Sequence, residues 1–419
     1  MQLLRGTKDI LPDEIKLWQH IYEVAFKVLT LNNYFEIRTP ILESTELFKR
    51  SIGDFTDIVN KEMYSFNDQG KRNITLRPEG TASIARSFIT NKLYQSQTIN
   101  RLWYMGPMFR YERPQRGRQR QFHQLGLECI GSYMPTADVE VIRLAIKLLN
   151  SLKCNEYILE INSIGNINER ETYAKYLIDY LKKYYSDLDE DSQKRLETNP
   201  LRILDSKNHK TQEILINAPK LKSYLNSSSQ EHFNHICSNL SYLGIKYNIN
   251  DNLVRGLDYY NYTAFEIKST ANNQQNTICG GGRYDKLIQQ LGGPYTPSVG
   301  WAIGLERLII LTRTQLLSQN KINRIYIACQ SYETYYIWDV INIIEIYHIQ
   351  FNLDLSNQKL YKQLKKANQL GSKICFILGQ EEVKNKCIQA KWLDTGTQQN
   401  IKISQLDSYL KYLKKYIIT

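Results

Sequence analysis

Phe122, Gln124, Gly126 and Glu128 recur at every second position of the stretch 121–131, a spacing that turns all four to one face of a β-strand. An aromatic ring, an amide and a carboxylate, with a glycine leaving room between them, would floor a pocket for a flat, polar ligand. The same pattern would also suit a solvated face. His123, Leu125, Leu127 and Cys129 fall on the opposite, mostly apolar face, which suits a core. In the preceding strand-like stretch, 101–112, Gly106, Met108, Arg110 and Glu112 share a face. Arg110 stands beside a polar, basic loop that holds Arg113, Arg116, Arg118 and Arg120 together with Pro114 and Gly117. The two strands then form an antiparallel pair with a long tip. A guanidinium fork there can bind phosphate oxygens through paired hydrogen bonds and stabilise charge that develops in phosphoryl-type transfer. It can equally form a surface ion pair with Glu112.

Such side chains need a sheet and a core to position them. After Pro12 and Asp13, the apolar residues Ile15, Trp18, Ile21, Tyr22, Ala25, Phe26 and Leu29 follow helical spacing and predict a helix over 13–32. The stretch 35–42 reads as a strand that Pro40 confines to an edge or interrupts. An amphipathic helix is expected over 136–152 and a strand over 156–161. Between 166 and 245 the chain turns charged, tyrosine-rich and helical, with breaks at Asn199-Pro200 and Asn226-Ser227-Ser228-Ser229. That region reads as an inserted helical subdomain. Strand-like patterning returns at 247–268. Gly280-Gly281-Gly282 follows, either as a turn or as a place where backbone approaches a substrate closely, and then a helix over 302–313. From about 323 an independent α/β unit is expected, with strands at 325–328 and 374–378, a hairpin across 395–397, and helices near 359–369 and 404–416. The domain reading is therefore 1–165, 166–245, 246–320 and 323–419.

A chain of 419 residues exceeds one compact core. Lys and Arg outnumber Asp and Glu by 54 to 42, giving a net charge of +12, which favours a polyanionic partner weakly. The seven cysteines contain no CxxC pair and are odd in number, so buried thiols in a reducing compartment fit better than a disulfide framework or a zinc cluster. Met1 to Lys8 has neither an apolar h-region nor an Arg/Ser-rich transit character, and no run approaches the ~18 apolar residues needed to span a bilayer. No membrane role is expected. The abundance of Tyr (30 residues) with many Asn, Ile and Lys fits an AT-rich coding sequence, bacterial or organellar.

The segment GPMFRYERPQRGR at 106–118, followed by RQFHQLGLE at 120–128, resembles motif 2 of class II aminoacyl-tRNA synthetases, in the wording of the histidyl-tRNA synthetase family. LRGTKD at 4–9, TLRPEGT at 75–81, RGLDYY at 255–260, GGGRYD at 280–285 and GWAIGLERL at 300–308 resemble further segments of that family, the last being motif 3. Their order over about 3–310 makes the resemblance specific. It implies an α/β fold with an α+β catalytic domain: an antiparallel sheet flanked by helices, a helical insertion and a C-terminal α/β anticodon-binding domain. It implies ATP-dependent ligation of L-histidine to tRNA(His) through histidyl adenylate, with Mg2+ bound along with ATP and no metal firmly assigned to protein side chains. By the same resemblance Arg110 grips the α-phosphate, Glu112 meets the adenine amino group, Phe122 stacks on the ring and Arg307 holds the far phosphates. Arg255 is the extra cation beside the α-phosphate. Glu79, Thr81 and Gln124 face the ammonium group, while Glu128 and Tyr260 address the imidazole, with Tyr284 close by and Gly80, Gly126 and Tyr259 in the same pocket. Residues 34–66 resemble motif 1, which implies a homodimer. The C-terminal unit resembles the anticodon-binding domain less closely. There Lys362, Lys365 and Lys366, with Lys411, Lys414 and Lys415, offer phosphate contacts or two solvated helix faces. Arg113, Arg116, Arg118 and Arg120 are tRNA candidates in the motif 2 loop. The compartment is a bacterial cytosol or an organelle stroma such as that of a plastid.

Several features favour plainer readings. His123 is more often a packed strand histidine than a ligand, Glu–Arg pairs such as Glu306-Arg307 are usually solvated, and alternation assigns one of Tyr259 and Tyr260 to the core. The insertion is expected to be a clamp over the acceptor stem with no editing role. Two rivals stand beside the main reading: a catalytically dead relative acting as a regulatory subunit, and a class II ligase for another amino acid. Arg110, Glu128, Arg255 and Arg307 speak against the first, and the segment 255–260 against the second.

Overall fold

The computed structural model describes residues 1–53, 56–113, 117–271, 276–317, 325–330 and 335–416. The chain divides into two units, Met1–Leu317 and Ser318–Thr419.

The first unit is built on an eight-stranded sheet. From edge to edge the strands are Phe35–Glu36, Asn100–Phe109, Gln121–Ile130, Ser298–Gly304, Asn276–Arg283, Asn261–Ser269, Tyr157–Ser163 and Asn248–Ile249. Neighbours run antiparallel, apart from the two short edge strands, which lie parallel to their partners. Alternation sorts the sheet into two unlike faces. One is a core: Trp103, Leu125, Leu127, Cys129, Ile161, Phe265, Val299 and Trp301 pack against Leu17, Trp18 and Ile21 of the helix Pro12–Thr30 and Ile142, Ala145 and Leu149 of the helix Pro135–Ser151. Trp301 anchors that layer by donating Nε1 to the Val141 carbonyl at 2.9 Å. Proline at the first helical turn suits the start of both helices, where its missing N–H has no partner to lose.

The other face is nearly bare of large side chains at its centre. Register brings Gly126, Ala302 and Gly280 into one rung, Glu128, Gly300 and Gly282 into the next, and Gln124 beside Gly304 in a third. The helices Ile167–Lys182, Glu190–Thr198, His209–Ile216 and Ser227–Tyr242 follow the strand Tyr157–Ser163 in the chain. Asn166 opens the first of them with a reciprocal cap to Glu169. Tyr173, Leu177, Leu196, Ile203 and Leu221 from this segment belong to the same buried cluster as Tyr104, Tyr259, Tyr260 and Tyr284.

Four local expectations change. The strand expected at 35–42 splits into Phe35–Glu36 and Leu42–Ser44, the latter joining a separate three-stranded sheet with Tyr64–Asn67 and Asn73–Leu76; Pro40 between them has no N–H to give a ladder. The patterning at 247–268 is two strands separated by a loop that carries 255–260. The glycines 280–282 lie inside a strand, where a Cβ on Gly281 would collide with the Gly300 carbonyl and with Phe265 and Trp301. The helix expected from 302 begins at Leu305, because Ala302, Ile303 and Gly304 are held in register by Gly126, Leu125 and Gln124.

The second unit is a five-stranded sheet in the order Phe351–Leu353, Ile325–Cys329, Ile374–Leu378, Cys387–Trp392 and Gln398–Lys402, the first three parallel. Its strands at 325 and 374, its hairpin across 395–397 and its helices Leu360–Gln369 and Ile403–Tyr416 match expectation. The helix Tyr336–Ile346 does not, because it lies in the aromatic-rich stretch with no legible cap. Gln363 is buried and bridges both backbone groups of Cys329, at 2.9 and 2.8 Å. All seven cysteines are free, six of them buried. Among the described residues no helix is long and apolar enough to cross a membrane.

Charge is buried behind the sheet. Arg283, 1% exposed, pairs with Asp138 and lies 3.2 Å from Asp285, and it donates to the Ser132 carbonyl at 2.7 Å. His232 lies 3.4 Å from Asp138. Burial pushes the Asp138 carboxyl up, but Arg283 and His232 outweigh it and hold it down at about 2. Removing one charge of such a group strands the other. Asp138→Asn should therefore cost ~3–5 kcal/mol of unfolding free energy in urea titrations. A change within ~1 kcal/mol would show that the cluster is not an interlocked network.

Candidate active site

The bare face of the sheet opens into a cavity of about 460 Å³ lined by residues from widely separated parts of the first unit. Arg110, Arg255 and Arg307 all line it, with Glu79, Thr81, Glu112, Phe122, Gln124, Tyr259 and Tyr260.

Each cation is held by a different device. Arg110, just past the end of its strand, donates Nε to the Pro78 carbonyl at 2.8 Å and stands 5.3 Å from the centre of the Phe122 ring. It forms no ion pair with Glu112, whose carboxylate lies 3.2 Å from Arg118. Arg307, in the first turn of the helix Leu305–Leu317, donates Nη1 to the Thr277 carbonyl at 2.6 Å. Burial pushes its guanidinium pKa down, and the like charge of Arg118 adds to that. Arg255 pairs with Glu266, and its Nε finds no partner among the described residues. A Cβ at Gly280 would collide with its guanidinium, so glycine is the residue that admits it.

Glu79 is 3% exposed and accepts the backbone N–H groups of Thr81 and Ala82, each at 2.7 Å, at the start of the helix Thr81–Thr90. A helix N-terminus favours a carboxylate there, although burial still raises its pKa. Gln124 presents to the cavity a buried Oε1 with no partner among the described residues, a polar atom left for a ligand.

Glu128 and Tyr284 sit beneath this wall instead of on it. The Thr81 hydroxyl donates to Glu128 at 2.7 Å and the Tyr284 hydroxyl at 2.5 Å. A Cβ on Gly300 would overlap the Glu128 carboxylate. Burial lifts this carboxyl from 4.5 to about 8, with Glu79 pushing the same way, while the hydroxyls of Tyr284 and Thr81 pull it down. The space over Gly126 is filled, contrary to the open pocket floor expected there: the Tyr104 ring occupies the place of a side chain at both Gly126 and Gly80. Tyr259 and Tyr260 are both buried cavity residues with rings 4.7 Å apart. Alternation does not separate them, because they precede the strand Asn261–Ser269 instead of lying in it.

The basic loop divides. Arg118 lines the cavity, Arg120 lies over the Tyr111 ring at 3.8 Å, Arg113 is exposed, and Arg116 lies outside the described residues. In the second unit Lys362, Lys365 and Lys366 are exposed on the helix that buries Gln363 and Ala367. His123 is a packed strand histidine: it meets the Trp18 ring edge-on at 4.6 Å, and Glu306 accepts its Nδ1 at 2.9 Å. Glu306 is thus engaged with the sheet and is not solvated as expected. Tyr104 was missed, although it lies two positions before Gly106 and alternation would have found it. Arg202, Asp57, Glu62 and Thr277 also line the cavity and carry no local signal in the sequence.

A family model described as histidyl-tRNA synthetase matches residues 6–308, and one described as anticodon binding domain matches 328–413. Over 417 residues the chain is 60% identical to a protein of Gracilaria tenuistipitata var. liui named histidine–tRNA ligase, chloroplastic, covering 99% of this chain and 98% of that one. It is 50% identical over 401 residues to a histidine–tRNA ligase of a Cyanothece species, covering 95% and 93%. Among solved structures, the apo histidyl-tRNA synthetase of S. aureus superposes with a TM-score of 0.81 at 35% identity, covering 98% of this chain and 100% of that one.

The raised Glu128 carboxyl has a consequence for stability. The folded chain keeps a proton there that the unfolded chain has already released, so the contribution is complete below about 4.5 and is lost as the pH rises through about 8. The ligand-free protein should lose stability between about pH 5 and pH 8, by several kcal/mol at ~1.4 kcal/mol per pKa unit. Glu128→Gln, neutral and nearly isosteric, should flatten that slope. Urea midpoints compared near pH 5.5 and pH 8 test it; an unchanged slope in the variant would place the titration elsewhere.

Proposed function

The chain belongs to the histidyl-tRNA synthetase family and aminoacylates tRNA(His) with histidine, using ATP as substrate; from that premise we propose how the cleft carries out the two steps. Histidine and ATP lie end to end along the bare face of the sheet. Arg110 and Arg307 approach the triphosphate from opposite sides, Phe122 stacks on the adenine, and Glu112 accepts from its amino group. A histidine carboxylate oxygen attacks the α-phosphorus, the bond to the bridging oxygen of the β-phosphate breaks, and diphosphate leaves. Arg255 neutralises charge on the α-phosphate as it is displaced. No protein nucleophile is needed, since positioning and charge neutralisation supply most of what such a transfer requires. A ribose hydroxyl at the tRNA terminus then attacks the acyl carbon of histidyl adenylate and releases AMP.

Mg2+ arrives on the phosphates of ATP. The donor set fits that arrangement better than a dedicated cage, because the described residues include no group of three or more His, Cys, Asp or Glu side chains able to hold a metal.

Glu79, Thr81 and Gln124 receive the ammonium group, Gln124 through its unpartnered Oε1. Tyr260 and, from beneath the wall, Glu128 address the imidazole nitrogens, with Tyr259 beside the ring, Tyr284 holding the Glu128 carboxyl, and Gly80 and Gly126 giving Tyr104 its place. A pocket that hydrogen-bonds both ends of its substrate rejects analogues lacking those groups by ~10⁴–10⁵ without proofreading. The helical segment 166–245 then has no editing duty and clamps the acceptor stem. Arg113, Arg116, Arg118 and Arg120 meet the tRNA near the cleft, and Lys362, Lys365 and Lys366 meet its backbone in the anticodon-binding unit. Exposed Phe35, Ile41, Leu42 and Phe66, within the stretch that resembles motif 1, fit a homodimer interface. A plastid stroma or a bacterial cytosol fits the names of the relatives.

The observation that carries this reading is the convergence of Arg110, Arg255 and Arg307 with Glu79, Thr81 and Gln124 on one cavity. ATP–diphosphate exchange measured across all amino acids should respond to histidine alone. Absence of exchange would favour a regulatory relative, and exchange with a different amino acid another ligase. Arg255→Ala should lower the exchange rate by ~10² or more, since one preorganised charge at the transition state is worth about 3 kcal/mol. Near-parental exchange would remove Arg255 from the chemistry.

A further inference from the structure

One wall of the cleft comes from the helical segment, through a side chain that the mechanism above leaves unused. Arg202 lies in the short turn Pro200–Asp205, whose Ile203 and Leu204 are buried. Asn199, immediately before the turn, donates Nδ2 to Asp258 at 3.0 Å, and Arg170 donates Nη1 to the Tyr260 carbonyl at 2.7 Å. The far side of the same loop is held by the helix Thr45–Ile52: the Asp258 N–H meets the Ile52 carbonyl at 3.3 Å, and its carboxylate fills the place of a side chain at Gly53. The loop that carries Arg255, Tyr259 and Tyr260 is therefore fixed on both flanks, and Arg202 is delivered to a defined position on it.

That position is a cation site facing the cavity. Arg202 lines it beside Arg255, Gly256 and Leu257. A Cβ on Gly256 would lie 3.2 Å from Arg202 Nη2, so the guanidinium passes over bare backbone. Among the described residues its ion-pair partner is Asp57 at 3.8 Å, beyond hydrogen-bond reach, with the two side chains 22% and 47% exposed. Asp205 and Asp258 feel its charge, but Asp258 is already engaged by Asn199. A loose, half-exposed pair of this kind is worth little, whereas a guanidinium fork on a phosphate makes short, charge-assisted, paired hydrogen bonds.

We infer that Arg202 is a phosphate-binding residue of the cleft, supplied by the helical segment and exchanging Asp57 for a phosphate group of ATP or of the incoming tRNA terminus. The inference rests on the reading of this cleft as the ATP site. Full-length Arg202→Ala and Arg202→Lys test it, with Arg202→Gln in reserve should the alanine variant not fold. If the phosphate belongs to ATP, Arg202→Ala should raise the KM for ATP about tenfold in diphosphate exchange, leave the KM for histidine and the Tm unchanged, and be partly rescued by lysine. If it belongs to tRNA, exchange should be unaffected and the KM for tRNA should rise severalfold in aminoacylation. Three KM values within twofold of the parent would overturn the inference. So would losses that follow a fall in Tm and are equal in the lysine variant, which mark a structural role. Absence of exchange in the unsubstituted protein would instead overturn the ATP reading, and this inference with it.

Discussion

The site exists because three neighbouring strands carry small residues at matching rungs of one face. Gly126, Ala302 and Gly280 stand side by side, as do Glu128, Gly300 and Gly282. Each glycine is the mould of one particular polar or aromatic group. A Cβ at Gly300 would strike the Glu128 carboxylate, one at Gly280 the Arg255 guanidinium, and one at Gly126 or Gly80 the Tyr104 ring. A Cβ at any of these glycines would force that group to shift. The trough and the side chains that stand in it are thus a single steric arrangement, and a methyl group at Gly300, Gly280, Gly126 or Gly80 would meet one of those side chains.

Electrostatics follows from that shape. A trough lined with several arginines and acids would repel itself or collapse if the charges were free. Here four of the five lining arginines rest on an acceptor: Arg110 on the Pro78 carbonyl, Arg307 on the Thr277 carbonyl, Arg255 on Glu266 and Arg118 on Glu112. Two of those acceptors are neutral carbonyls, which orient a guanidinium without cancelling its charge. Arg255 differs, because Glu266 neutralises it and Thr277 also donates to Glu266, at 3.1 Å. Any anion that recruits Arg255 must therefore compete with a carboxylate, while Arg110 and Arg307 have no carboxylate ion-pair partner among the described residues.

Much of this was legible along single strands. The alternation of Phe122, Gln124, Gly126 and Glu128, and the apolar set facing the other way, follow from the two-residue period alone. The same period misled at Tyr259 and Tyr260, which sit in a turn, and at Gly280 to Gly282, where glycine suggested a turn but serves close approach inside a strand. Tyr104 was within reach of the pattern and was passed over. Arg202 was not: its place in the cleft depends on how a helical segment docks onto a loop about fifty residues away, and no local spacing encodes that. The boundary at Leu305 shows the same limit, since pairing with Gln121–Ile130 overrides a helical periodicity that runs straight through it.

A face stripped of side chains is a poor stabiliser of a sheet, and each glycine in a strand costs roughly 0.5–1 kcal/mol relative to alanine. The opposite face supplies what is missing. Trp103, Leu125, Leu127, Phe265 and Trp301 are almost wholly buried on it, and a buried apolar side chain of that size contributes roughly 1.5–3 kcal/mol or more. Along Ser298–Gly304 the contrast is residue by residue: Gly300, Ala302 and Gly304 face the trough while Val299, Trp301 and Ile303 face the helices. The large residues fix the strand in place, and only a strand so fixed can leave its other side empty for ligands. The apolar layer behind the sheet is thus as much a condition of the cavity as the arginines in front of it, although none of the side chains named from it lines that cavity.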